Sequence, residues 1–144
     1  MPREIISITV LLITAFMLRR ALTLTQNFNN TRTMSTYISG THSIAYVTVP
    51  TQEIAKRIAK DLVQEKLAAC VNIIPNIISI YSWQGKMEED SELLMMIKTQ
   101  TNKIPELTAF VKKNHPYEVC EVISVKIDNG NDPYLQWITN SLKK

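Results

Sequence analysis

The sequence predicts an α+β fold, and three observations predict it. β-branched runs and amphipathic runs follow one another in the order β-α-β-β-α-β, and a last short helical pattern closes the chain. The two middle strands meet around Gln84-Gly85-Lys86, a hairpin signal built on one of only three glycines. The hairpin is also too long for its domain. From Val71 to Trp83 the first arm reaches about 43 Å at ~3.3 Å per residue, against roughly 17–20 Å for an ordinary strand.

The arms are apolar on both parities. Ile74, Ile78 and Ile80 fall on one, and Val71, Ile73, Ile77, Tyr81 and Trp83 on the other. The return arm runs Leu93-Leu94-Met95-Met96-Ile97 without alternation. A strand with one wet face alternates, so this ribbon is expected to be buried on two sides, within an oligomer. Pro75 is the expected site of a bulge that switches parity once.

The elements follow in order. Ile5–Leu18 holds fourteen residues without a charge, short of the roughly 20 that span a bilayer and closer to a signal-peptide core. Arg3 precedes it and Arg19-Arg20 follows it, which also suits a short membrane anchor or an Arg-rich mitochondrial leader. Asn27–Ser43 reads as a polar linker, so residues 1–43 form a leader and linker and 44–144 a domain. A start at Met34 would give a leaderless, cytosolic form. Asn29-Asn30-Thr31 is a glycosylation sequon, relevant only in the secretory pathway.

The first strand is Ile44–Val49, stopped by Pro50. Thr51 caps a helix whose Ile54, Ala55, Ile58, Ala59, Leu62 and Val63 face inward. After the hairpin, Thr101 or Asn102 caps a second helix with Pro105 in its first turn and Leu107, Phe110 and Val111 inward. His115-Pro116 ends it. Val119–Asp128 alternates as a fourth strand, and Asp132-Pro133 opens the last helix, with Leu135, Ile138 and Leu142 inward. This order is the ferredoxin-like split βαβ arrangement, with two helices on one sheet face. The closing helix is too short to cover the other face, which leaves self-association to do it.

Composition removes several function classes. Residues 1–40 carry all of the net charge of +3, and the remainder is neutral, with 12 basic and 12 acidic side chains. Nucleic-acid binding needs a concentrated basic face, so no nucleic-acid partner is expected. Gly40, Gly85 and Gly130 are isolated, which excludes a glycine-rich phosphate loop. Cys70 and Cys120, 50 residues apart, have no zinc-finger or redox spacing; they read as buried thiols, with a disulfide or a soft-metal pair as alternatives.

With His42 in the linker, His115 is the one candidate base, and no nucleophile is spaced to meet it, so the chain reads as no enzyme. His115 sits in Asn-His-Pro-Tyr-Glu-Val-Cys-Glu, which gathers an imidazole with Glu118 and Glu121. Imidazole plus carboxylate suits copper(II) or zinc. The alternative is a histidine that caps the helix carbonyls. Glu88, Glu89, Asp90 and Glu92 read as a solvated cluster that keeps the hairpin tip from pairing edge to edge. Tyr81, Trp83 and Trp137 are candidates to line a pocket or to anchor an interface.

Four segments, EKLAACVNIIP, SIYSWQGKMEEDSELLMMIKT, HPYEVCEV and PYLQW, resemble in order and spacing the CutA family, the divalent-cation tolerance proteins, and its animal members most. The resemblance covers about residues 44–142. It implies a ferredoxin-like subunit in a homotrimer held by the long hairpins, and a link to copper (Cu2+) or another divalent cation. It further implies a likeness to trimeric P-II signalling proteins. That likeness would put a small-molecule pocket between subunits near Trp83, Lys98 and His115. For animal members it implies a role in processing or membrane anchoring of acetylcholinesterase. The copper ligands proposed for bacterial members are a first-strand cysteine and two histidines of a His-His-Pro-Tyr motif. Here the first strand has no cysteine and Asn114 stands for the first histidine, so the carried-over metal ligands are His115, with Glu121 nearby.

Overall fold

The computed structural model describes residues 37–143. The apolar run 5–18, the sequon at Asn29 and the start at Met34 lie outside the described residues. The elements are β1 (His42–Val49), α1 (Gln52–Gln64), β2 (Cys70–Trp83), β3 (Lys86–Gln100), α2 (Ile104–Asn114), β4 (Ile123–Lys126) and α3 (Asp132–Ser141). They form one four-stranded sheet in the order β2-β3-β1-β4, antiparallel at every step. This is the expected α+β, ferredoxin-like arrangement, completed by a C-terminal helix.

Residues opposite each other in an antiparallel ladder project to the same side, so the register sorts the sheet into two faces. Ala45, Val47 and Val49 of β1 pair with Ile97, Met95 and Leu93 of β3. They form the core with Ala55, Ile58 and Leu62 of α1 and Leu107 and Val111 of α2. Ile58, Leu62, Met95, Ile97 and Leu107 are wholly buried. The second face carries Tyr46 and Thr48 of β1, Leu94 and Met96 of β3, and Ile123 and Val125 of β4. α3 covers only one end of it. Leu135, Ile138 and Leu142 pack there on Ala69, and His42 reaches Thr139.

Local chemistry explains the boundaries. Thr51 accepts a hydrogen bond from the Ile54 N–H at 3.3 Å and caps α1 as expected. α2 starts differently. Thr101–Lys103 form a 3-10 turn, and Lys103 at the cap makes no side-chain bond. Thr101 is occupied elsewhere, donating its hydroxyl to the Gly40 carbonyl at 2.6 Å. Asn131, rather than Asp132, occupies the cap position of α3.

The hairpin loop is Gln84-Gly85, with positive φ at both residues (49° and 80°), the handedness that matches twisted strands. The bulge predicted at Pro75 is present. Ile74 pairs with Leu94 and Ile77 with Glu92, so Pro75 and Asn76 together oppose Leu93. Two sequence boundaries shift. β1 begins at His42, two residues early, and His42 is buried in the sheet. β4 is four residues instead of the ten of Val119–Asp128, because Val119–Val122 leave the ladder.

Candidate functional site

On the sheet face away from α1 and α2, midway along the hairpin, lies a cleft of about 720 Å3. Its floor comes from β strands: Thr48, Ser79, Tyr81, Trp83, Asp90 and Glu92. In the ladder Ser79 pairs with Asp90, and Ile77 with Glu92. The bulge is what puts these residues on this side, because one extra residue between Ile74 and Ile77 re-phases the outer half of β2. The wall is the segment after α2, from Pro116 to Val119 with Glu121.

Two hydrogen bonds organise the floor. Ser79 Oγ donates to Glu92 Oε2 at 2.6 Å, and the Tyr81 hydroxyl donates to Asp90 Oδ2 at 2.5 Å. The bond to Asp90 pushes the Tyr81 phenol up to about 12. Burial, then the charges of Glu92 and Asp90, raise that of Tyr117. Both phenols therefore stay protonated near neutral pH, and Tyr81 is the donor to Asp90. Glu92 is only 5% exposed, and its Oε1 is buried without a hydrogen-bond partner among the described residues.

His115 lies beside this cleft rather than in it. The Tyr117 N–H donates to its Nδ1 at 3.1 Å, so the proton sits on Nε2, which donates to the Thr48 carbonyl at 2.8 Å. The ring ties the chain leaving α2 to β1. It does not cap α2 carbonyls; the backbone N–H of His115 does that, to Val111 at 2.8 Å. Glu121 is exposed on the cleft wall. Among the described residues no group of three or more His, Cys, Asp or Glu side chains is placed to hold a metal ion.

The other expected pocket residues divide. Tyr81 and Trp83 line the cleft, while Trp137 stacks on Tyr134 of α3 at 5.3 Å. Lys98 is buried at the opposite end of β3, donating to Asn72 Oδ1 and lying 3.7 Å from Cys70 Sγ. Both cysteines are free thiols. The acidic cluster at the hairpin was expected to be a solvated tip, and for buried Glu92 it is not. The missed signal is period two: Glu88, Asp90 and Glu92 share one strand face, and Glu89 takes the other.

Comparisons with known proteins agree with this architecture. A family model described as "CutA1 divalent ion tolerance protein" matches residues 43–141. "Protein CutA homolog" of Xenopus laevis is 57% identical over 108 residues, which cover 75% of this chain and 72% of that protein. "Protein CutA" of Homo sapiens is 58% identical over 104 residues, 72% of this chain but only 58% of the human protein. Among solved structures, CutA1 from Oryza sativa superposes with a TM-score of 0.71 at 47% identity, covering 76% of this chain and 99% of the rice chain. The Thermus thermophilus divalent cation tolerance protein gives 0.66 at 49% identity, covering 67% and 94%. On the extent of these matches, the chain belongs to the CutA1 divalent ion tolerance family.

Proposed function

We propose that this protein is a non-enzymatic homotrimer that binds divalent cations, copper(II) among them, and serves metal tolerance. The observation that carries the assembly is apolar surface left exposed on both faces of the sheet. Ile78, Ile80 and Met87, on the α1/α2 side of the hairpin, are 65–75% exposed, and Ile123 and Val125 on the open face are at least 50% exposed. Exposed apolar side chains on both sides of one sheet mark surfaces that another chain covers. The names of relatives such as the Thermus "Divalent-cation tolerance protein CutA" support the cation reading.

His115 and Glu121 are the proposed metal ligands, and the geometry sets a condition on them. The nitrogen able to coordinate is Nδ1, which must give up its bond from the Tyr117 N–H, while exposed Glu121 is free to turn toward it. Titrating copper(II) into the full chain tests this against His115→Ala and Glu121→Gln. About tenfold weaker binding is expected in each, in line with the loss of one ligand. Unchanged binding in Glu121→Gln, whose exposed side chain leaves the fold alone, would move the site elsewhere. For location, the reading is entry to the secretory pathway or membrane association through residues 5–18. Mitochondrial import, or a cytosolic form begun at Met34, is the alternative; no helix among the described residues is long and apolar enough to cross a membrane.

A further inference from the structure

The cleft floor holds a group that the metal reading leaves unused. Glu92 is 95% shielded from solvent, yet its Oε1 has no partner among the described residues. An unpaired buried carboxyl oxygen costs free energy unless something fills the position. Around it the lining carries Asp90, Glu118 and Glu121 and no lysine, arginine or histidine. The field inside the cleft is therefore of one sign, and low-dielectric walls concentrate it.

The charge to be matched is not a point. No three metal-binding side chains converge among the described residues, so a hard cation such as Mg2+ would meet too few oxygens in the cleft. The volume, about 720 Å3, is instead that of a small-molecule site. Three aromatic rings, Tyr81, Trp83 and Tyr117, border the same space, and aromatic faces attract organic cations. Val119 and Pro116 add apolar wall for a hydrocarbon body.

We propose that this cleft binds a small organic cation bearing an ammonium or guanidinium group, whose N–H donors satisfy Glu92 Oε1 while its carbon chain lies against the rings. The inference does not rest on the copper reading: Glu121 serves both, but His115 is needed for copper alone and Glu92 for the amine alone, so the two fail separately. Trp83 supplies the signal once Trp137 is removed. In full-length protein carrying Trp137→Phe, agmatine and putrescine are titrated against Trp83 emission. The neutral 1,4-butanediol and Mg2+ serve as controls. Saturable changes with both amines and none with the diol are expected. Glu92→Gln, which keeps shape and removes charge, should weaken binding at least tenfold, and Glu121→Gln about threefold. Circular dichroism confirms that each variant is folded.

Three results would overturn the proposal. One is a diol response equal to that of putrescine. Another is undiminished amine binding in folded Glu92→Gln. The third is silence toward both amines together with a lower melting temperature of unliganded Glu92→Gln, which would mean that a basic side chain of a second copy already fills the cleft.

Discussion

Two histidines, each tied to partners far along the chain, show how much single residues decide here. Tyr37 donates its hydroxyl to the Ile127 carbonyl at 3.1 Å and lies 3.3 Å from His42 Nδ1. On the other side of the ring Nε2 lies 2.8 Å from the Thr139 hydroxyl, which also reaches the Leu135 carbonyl at 3.5 Å. His115 carries its proton on Nε2. Burial holds the pKa of His42 below the ordinary 6.5, so folding favours the neutral ring. That contribution is complete above about pH 6.5 and is lost as pH falls through the depressed folded value. Thermal midpoints between pH 7.5 and 5 should therefore fall more steeply in the wild type than in His42→Gln; parallel slopes would remove His42 from the account. None of this was legible in the sequence, where His42 looked like linker. The setting of the ring depends on partners 85 or more residues away, Ile127 and Thr139, and no local pattern encodes them.

At the scale of elements the sequence spoke clearly wherever periodicity or turn chemistry was local. α1, with its Thr51 cap, could be read directly, and so could the Gln84-Gly85 turn and the bulge at Pro75. It misled where a pattern was satisfied without a ladder. Val119–Asp128 alternates like a strand, yet only Ile123–Lys126 pairs with β1, and the residues before it build the cleft wall. The bulge links sequence to site most directly, since it sets which side of β2 faces the cleft. Asn76 within it has φ of 61°, a conformation that asparagine tolerates and β-branched residues resist. Asn76→Val should cost roughly 1–2 kcal/mol, the left-handed penalty, and Asn76→Gly close to nothing. Denaturant unfolding of the two variants checks this, and equal stabilities would show that the bulge carries no such strain.

For the whole molecule, the sheet is built with one face roofed by α1 and α2 and the other roofed only at one end by α3. The apolar count of the hairpin made that imbalance visible in the sequence, because both parities of a strand cannot be hidden by one layer of helices. Less visible was that the same uncovered face also holds a shielded carboxyl. The hairpin acids read as a run of charge until the ladder separated Glu92 from Glu89. On this reading copies of the chain cover the apolar surface of both faces and leave the acidic cleft to a ligand. Sedimentation equilibrium of the full-length protein at micromolar concentration tests this most directly. The account predicts a single species of three times the 16.4 kDa chain mass, less any leader removed. A stable, well-folded monomer under those conditions would contradict it.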